Sequence, residues 1–159
     1  MEHKRVILKA QTTLRKRDEQ MNKFETIDLM EVANNGATPP NCDFTLQIKP
    51  VSAKDGKAKG IWEVDEKFLN GLGVTMGGYL ASAADIMMAY AISSQLQENQ
   101  TFASIDLHTT FHRPVFPGTV EVHASVERLG RKVGYLTAEL VQNDKKVGSA
   151  VSSVMIIEK

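Results

Sequence analysis

The chain has 159 residues, of which 42% are hydrophobic, and its 19 Lys and Arg residues balance its 19 Asp and Glu residues. This length fits one domain better than two, and the zero net charge argues against a dedicated nucleic-acid binder. Cys42 can form no internal disulfide, no Cys/His spacing suggests a metal, and no apolar run is long enough to cross a membrane. Because the N-terminus also lacks a secretory pattern, we expect a cytoplasmic protein without metal or resident cofactor.

The first forty residues differ from the rest of the chain in charge and periodicity. Residues 4–23 carry seven Lys and Arg but two acidic residues, and their apolar residues recur at helical spacing, which predicts a basic amphipathic helix. A capping pattern and Gly36 predict a second helix over about 23–35. We therefore expect a helical extension over 1–40, packed on the domain or on a partner subunit, and a main domain over 41–159. The alternative is an arm that binds a membrane surface or nucleic acid.

From Cys42 onward the apolar residues repeat with a period of two. Residues 44–49 alternate between apolar and polar side chains, and residues 58–65 do the same. Asp55 and Gly56 between them form a hairpin turn signal. This pattern predicts two antiparallel strands at the start of the main domain.

A long apolar segment from Gly77 to Leu96 follows, with no proline and with Asp85 as its one charge. Its length and its Ala, Met and Leu content predict a buried helix. Alternating patterns then predict further strands over residues 103–111, 120–127, 133–142 and 146–157, the last two joined at Asn143-Asp144. The expected fold is α+β, an antiparallel sheet wrapped around one central helix.

The start of the central helix carries the strongest chemical signal in the sequence. Gly77 and Gly78 leave the first backbone N–H groups of the helix unshielded, and the positive end of the helix dipole favours an oxygen that becomes an anion. Asp85 lies two turns after Gly78 on the same helix face. A carboxylate in apolar surroundings is costly unless it is paired, and such groups are often catalytic. The alternative is a plain turn and a structural hydrogen-bond partner.

Helix geometry separates the two halves of this candidate site. Gly77 and Asp85 are eight residues apart, which is about 12 Å along a helix axis. One reacting carbonyl needs its oxyanion donors and its attacking group both within about 3 Å. We therefore expect a homodimer in which Gly77 of one central helix faces Asp85 of the other, giving two shared sites. A dimer of dimers stays open.

Residues 44–157 resemble the hotdog-fold acyl-CoA thioesterases of the phenylacetate-degradation type, in the 4-hydroxybenzoyl-CoA thioesterase superfamily. The motif of that family is Asn, then His-Gly-Gly after about five residues and Asp six residues later, followed by a strand ending in Arg-Pro. The matching residues are Asn70, Gly77, Gly78, Asp85, Ser104, Asp106, Arg113 and Pro114. The resemblance implies a hotdog fold preceded by the helical extension.

The resemblance also implies the hydrolysis of an acyl-CoA thioester, with coenzyme A as part of the substrate and no separate cofactor. The Gly77 N–H would hold the carbonyl oxygen, and Asp85 of the other subunit would act as general base or as nucleophile. Asn70 would orient the lytic water or the thioester, and Ser104 would hydrogen-bond the water or Asp85. The sequence leaves the choice between base and nucleophile open.

One departure from the family concerns the residue before the two glycines. Met76 stands where the family has His, and a thioether cannot donate a hydrogen bond. We expect Met76 to form an apolar pocket wall and Gly78 to border the substrate. Basic residues expected to bind the phosphates of coenzyme A are Arg113, Arg128, Arg131 and Lys132; solvated hairpin charges are the alternative for the last three.

Two other functions remain open at the sequence level. An acyl-CoA-binding regulator could use the basic helix over residues 4–23 to bind DNA, although no clear recognition helix follows it. A hotdog dehydratase or hydratase would need a His paired with an acid near the central helix, which Met76 disfavours.

Overall fold

A computed structural model describes residues 26–159, and the predicted basic helix over residues 4–23 lies outside the described residues. The helices are α1 Leu29–Asn35, α2 Asn41–Leu46 and α3 Gly77–Ser93, with a short 3-10 helix at Glu66–Phe68. The strands are β1 Ile48–Lys54, β2 Lys57–Val64, β3 Gln100–Ser104, β4 His108–Phe111, β5 Gly118–Leu129, β6 Val133–Gln142 and β7 Lys145–Glu158.

One antiparallel sheet contains all seven strands. Its order is β1-β2-β5-β6-β7-β3, and β4 also pairs with β7. The sheet curves around α3, which packs mainly against β5, β2 and β6. The α+β hotdog fold expected from the sequence, a sheet wrapped around one central helix, is therefore confirmed.

Helix α3 supplies the middle of the hydrophobic core. Eight of its 17 residues are buried, and most of them recur every three or four residues along one broad face that packs on the sheet, whereas Gly78 and Ser82 are exposed. On β2 and β6, and over parts of β5 and β7, every second side chain points inward to meet it, as the fully buried Trp62 does. Gly60 of β2 lies so close to this helix that a Cβ atom would be 2.4 Å from Sδ of Met87, so a larger residue would have to push the Met87 side chain aside. Within residues 26–159, no helix is both long and apolar enough to span a membrane.

Both predicted hairpin turns are confirmed. Asp55 and Gly56 have φ values of 51° and 77°, and Asn143 and Asp144 have values of 51° and 58°. Two-residue hairpin loops with positive φ at both positions match the twist of the flanking strands, and Asn, Asp and Gly tolerate this conformation best.

Helix α1 ends as predicted but begins later. Gly36 adopts the left-handed conformation with a φ of 71° and closes the helix, which confirms the stop signal. The helix begins at Leu29, because the side chain of Asp28 accepts hydrogen bonds from the first-turn amides. Residues 26–28, which the predicted helix over 23–35 included, are therefore not helical. Val32 is buried in the core, while the predicted boundary at residue 40 stays a prediction.

The strand predicted from residue 44 was wrong over its first half. Residues 41–46 form α2, which follows Pro40 and ends at Gln47 in the left-handed conformation, with a φ of 64°. Because α2 has fewer than two turns, its apolar residues at 44 and 46 matched an alternating pattern equally well. The strand β1 begins only at Ile48.

The strand predicted over residues 103–111 is interrupted at residues 105–107. Asp106 causes the interruption: its Oδ1 accepts a hydrogen bond from Ser153 N at 2.9 Å, and its carbonyl oxygen accepts one from Ser152 Oγ at 2.7 Å. Both flanking strands, β3 and β4, still pair with β7. Asp106 therefore has a structural role, holding a kinked sheet edge in place.

A buried polar contact fixes α2 against α3. Asp43 is 1% exposed, and its Oδ2 accepts a hydrogen bond of 2.6 Å from the Tyr90 hydroxyl. Burial and this hydrogen bond raise the pKa of Tyr90, so the hydroxyl stays protonated and donates. The second oxygen of Asp43 lies 3.3 Å from Cys42 Sγ. A buried carboxylate is tolerated only with such donors.

Replacing Tyr90 by Phe should therefore lower the free energy of unfolding by about 2 kcal/mol, because it leaves a buried carboxylate without its best donor. Urea denaturation measures the change. Tyr79→Phe is the matched control, since the Tyr79 hydroxyl has no hydrogen bond to the described residues and should change stability by less than about 0.5 kcal/mol. Equal stability of Tyr90→Phe and the wild type would contradict the role of the Asp43 contact.

Candidate active site

A short loop positions the start of α3. Leu69 and Thr75 form an isolated antiparallel bridge, and Met76 N donates to Phe68 O at 2.9 Å. On its other side, Thr75 N donates to Val115 O at 2.8 Å. The chain is thus held from both sides immediately before the helix begins at Gly77.

Asn70 is exposed and stabilises this loop. Its Oδ1 accepts hydrogen bonds from Leu72 N at 2.8 Å and Val74 N at 3.4 Å, while its own backbone N–H donates to Val74 O at 2.8 Å. The amide oxygen of Asn70 is therefore occupied by the backbone. The geometry gives this candidate catalytic residue a structural role at the site.

Gly77 and Gly78 present two adjacent backbone N–H groups at the N-terminus of α3. Neither N–H has a hydrogen-bond partner among residues 26–159, whereas Tyr79 N already donates to Met76 O. Unpaired donors at the positive end of a 17-residue helix attract an oxygen that carries negative charge. The N–H groups of Gly77 and Gly78 are thus available as the pair of donors that the sequence predicts.

The ring of Phe111 covers Gly77. A Cβ atom on Gly77 would lie 2.5 Å from Cζ of Phe111, so any larger residue would displace the ring. A Cβ on Gly78 would meet only Met76 Cε at 3.5 Å, an ordinary contact. A side chain at position 77 would thus have to move the Phe111 ring, while Gly78 is exposed and Met76 is 49% exposed beside it.

A cavity of about 400 Å³ lies next to Gly77. Its lining residues are Val74, Thr75, Gly77, Leu80, Phe111, His112, Arg113, Pro114 and Val115. Most of these are apolar. Arg113 is exposed and its guanidinium donates to Lys146 O at 2.6 Å. The predicted pair of Gly77 and Arg113 is thus brought together at one cavity.

Asp85 is half-buried on α3, and desolvation raises the pKa of its carboxyl group. Within residues 26–159 it has no hydrogen-bond or ion-pair partner. Eight helical residues separate it from Gly77, about 12 Å along the axis. One chain therefore does not bring these two groups to the same reacting atom.

The remaining candidate residues lie away from the cavity. Ser104 is exposed at the end of β3, on an edge of the sheet. The hairpin with Arg128, Arg131 and Lys132 lies beside the C-terminal end of α3, since the Cβ position of Gly134 is 3.5 Å from Ile92 Cδ1. These three basic residues are exposed, and none of them lines the cavity beside Arg113.

Sequence reasoning missed two residues of the cavity. Phe111 was assigned to a strand face, and nothing in the sequence linked its ring to Gly77. Thr75 was not considered, although it is 6% exposed and its Oγ1 has no hydrogen-bond partner among the described residues. Its position two residues before the first glycine is the only sequence signal that could have pointed to it. No group of three or more His, Cys, Asp or Glu side chains in residues 26–159 is arranged to hold a metal.

Comparison with known proteins agrees with this geometry. A family model described as the thioesterase superfamily matches residues 72–149. A Pseudomonas aeruginosa protein that is named as an esterase is 31% identical to this chain over 88 residues. These residues are 55% of this chain and 66% of that protein. The fold resembles a phenylacetic acid degradation-related protein of Ralstonia eutropha JMP134 with a TM-score of 0.75 and 26% identity, covering 81% of this chain and 99% of that one. The fold also resembles the PaaI protein from the phenylacetic acid degradation operon of E. coli, with a TM-score of 0.73 and 29% sequence identity. The match covers 82% of this chain and 94% of that one.

The raised pKa of Asp85 predicts a pH-dependent penalty on folding. The folded state holds this proton more tightly than the unfolded state, so the free energy of unfolding falls as pH rises above the ordinary Asp value of about 3.9. Asp85→Asn should therefore be more stable than the wild type at pH 7, and the difference should vanish near pH 3. Urea denaturation at both pH values measures it.

Glu121→Gln is the control with the opposite sign. The hydrogen bond and charge of Lys59, 2.7 Å away, lower the pKa of Glu121, so its stabilising contribution is present at pH 7 and lost in acid. This variant should be slightly less stable than the wild type at pH 7. Equal stability of Asp85→Asn and the wild type at pH 7 would contradict the desolvation of Asp85.

Proposed function

The chain belongs to the thioesterase superfamily, and from this premise we propose that it hydrolyses acyl-CoA thioesters to a free acid and coenzyme A. Hydrolysis of a thioester in general is supported by the family and by the esterase and thioesterase names of similar proteins. The matched segment spans 66% of the Pseudomonas relative, so the acyl-CoA substrate and the mechanism are our own proposals.

The unpaired N–H groups of Gly77 and Gly78 at the edge of the 400 Å³ cavity are the observation that carries this proposal. A thioester carbonyl gains negative charge on its oxygen when a nucleophile adds to its carbon. Donors that are already in position stabilise that charge without reorganising, and one such donor is worth about 3–4 kcal/mol in other enzymes. In our proposal Gly77 and Gly78 form this oxyanion hole.

Asp85 supplies the attacking group. Desolvation raises its pKa, which suits a general base that takes a proton from water. Water then adds to the carbonyl carbon, the C–S bond breaks as the tetrahedral intermediate collapses, and the thiolate of coenzyme A takes up the proton. Direct attack by the carboxylate would instead form an acyl anhydride that water hydrolyses. Both routes use the same residue.

The spacing along α3 requires a second subunit in this proposal. Gly77 and Asp85 cannot both reach one carbonyl from a single helix, because about 12 Å separates them. Two α3 helices side by side in opposite directions would place Gly77 of one protomer near Asp85 of the other. The proposed enzyme is therefore a homodimer with two shared sites, or a dimer of such dimers.

The same antiparallel arrangement accounts for the scattered basic residues. Arg113 borders the cavity, whereas Arg128, Arg131 and Lys132 lie at the other end of α3 in the same chain. Opposed helices would bring the basic hairpin of one protomer toward the cavity of the other. In our proposal these guanidinium and ammonium groups bind the phosphates of coenzyme A.

Two residues keep smaller roles in the proposal. Met76 flanks the cavity entrance as an apolar surface, and Ser104 on the edge strand β3 would reach the shared site only at the dimer interface. Asn70 acts indirectly, by fixing the loop that leads into α3.

Asp85→Asn should lower kcat at least a hundredfold, because a general base typically contributes 10²–10⁴-fold to the rate. Thiol release from acetyl-, hexanoyl-, palmitoyl- and benzoyl-CoA measures the activity. Glu98→Gln is the control for removing a carboxylate, since Glu98 is exposed beyond the far end of α3 and should leave kcat unchanged. Wild-type activity no higher than that of Asp85→Asn on every substrate would refute hydrolysis and favour acyl-CoA binding without turnover.

Mixing two inactive variants tests whether the site is shared. Gly77→Ala would push a Cβ atom to 2.5 Å from the Phe111 ring and disrupt the oxyanion hole, while Asp85→Asn removes the base. A mixed dimer has one site with both groups intact, so random mixing should restore about a quarter of wild-type activity. Activity that stays at the level of the separate variants after subunit exchange would refute the shared site.

A further inference from the structure

Thr75 is a buried residue with an unpartnered hydroxyl group at the edge of the cavity. Its side chain is 6% exposed, it lines the 400 Å³ cavity, and its Oγ1 has no hydrogen-bond partner among residues 26–159. The other buried side-chain atom in this condition, Oε1 of Gln47, lies at the end of α2 and does not line the cavity. The cavity and the unpartnered hydroxyl therefore coincide at Thr75.

The backbone around Thr75 is held on two sides. Thr75 N donates to Val115 O at 2.8 Å, and the residue bridges to Leu69 on its other side. These contacts hold the residue in one position. Valine has nearly the same shape and would bury no unpartnered hydroxyl, so packing alone does not account for a threonine here. The hydroxyl points to a partner outside residues 26–159.

Thr75 and Gly77 line the same cavity on either side of Met76. The Cβ direction of Gly77 leads to the ring of Phe111, which also lines the cavity. Thr75 therefore borders the space beside which the two unpaired N–H groups lie.

We propose that Thr75 contacts the substrate and that its hydroxyl donates a hydrogen bond to the thioester carbonyl oxygen, as the side-chain member of the oxyanion hole formed by Gly77 and Gly78. This inference rests on the proposed hydrolysis of acyl-CoA. A hydroxyl both donates and accepts, so it can follow the oxygen as its charge grows. Met76 has no donor to offer, and of the two side-chain donors nearest in sequence to Gly77, Thr75 lines the cavity and Tyr79 does not.

The test compares Thr75→Val with Thr75→Ser in the full-length protein, using the acyl-CoA that the wild type hydrolyses fastest. Thr75→Val should lower kcat at least tenfold with KM changed less than threefold, because the lost contact strengthens in the transition state. Thr75→Ser keeps the hydroxyl and should stay within threefold of the wild type. The melting temperature of Thr75→Val should equal or exceed that of the wild type, because no internal hydrogen bond is lost.

Two results would overturn the inference. The first is a kcat for Thr75→Val within twofold of the wild type. The second is a lower melting temperature together with an unchanged kcat per folded molecule, which would make the hydroxyl a structural group. If Thr75→Val does not fold, the comparison of Thr75→Ser with Thr75→Ala decides by the same criteria.

A binding measurement distinguishes failure of the proposed hydrolysis from failure of the proposed Thr75 contact. If the wild type releases no thiol from any substrate, hydrolysis is refuted, and a ketone analogue of hexanoyl-CoA, with CH₂ in place of the thioester sulfur, serves as the probe. Calorimetric titration should then show at least tenfold weaker binding to Thr75→Val than to the wild type. Equal affinities, or no binding to the wild type, would overturn the contact with the carbonyl.

Discussion

The enclosure of α3 by one antiparallel sheet is the constraint on which the rest of this structure depends. The broad apolar face of α3 must be covered, so the sheet curves around it and its inward residues shrink to glycine at Gly60, where Met87 presses against β2. The helix ends nevertheless have to leave this enclosure. At Gly77 the first N–H groups emerge beside a cavity instead of inside the core. The fold thus creates the candidate site at the point where its central helix begins.

Uncompensated polar groups lie at the start of α3 and on its half-buried face, and a further one, Oε1 of Gln47, lies at the end of α2. Asp43 is buried but receives a hydrogen bond from Tyr90, so its polarity is compensated. Thr75 has an unpartnered hydroxyl, and Asp85 has a raised pKa and no partner in the described chain. Each of these groups would be better paired or absent if stability alone mattered. Such uncompensated groups are expected where a protein exchanges stability for binding or catalysis.

The sequence was informative wherever a strong local rule acted. The turn at Asp55-Gly56, the stop at Gly36 and the start of α3 each depend on neighbouring residues, and all were predicted correctly. The strand predicted over residues 44–49 failed because six residues of α2 fit two periods equally well. The interruption near Asp106 and the ring of Phe111 over Gly77 depend on residues about 35 or more positions away, which a single sequence does not reveal.

The proposed dimer follows from what a single chain lacks. Asp85 has a desolvated carboxyl group and no partner among residues 26–159. Carboxyl groups with a pKa shifted in this way are found most often at functional sites. The edge strand β3 ends at exposed Ser104, followed by Ile105 with 56% of its surface exposed, and an unpaired sheet edge of this kind favours association. A second copy placed along this edge would cover it and align the two α3 helices in opposite directions. Asp85 of each protomer would then lie near the proposed oxyanion hole of the other. The proposed association would therefore cover the exposed edge of β3 and bring the Asp85 carboxylate of one protomer near the unpaired amides of the other. A single chain holds these groups apart.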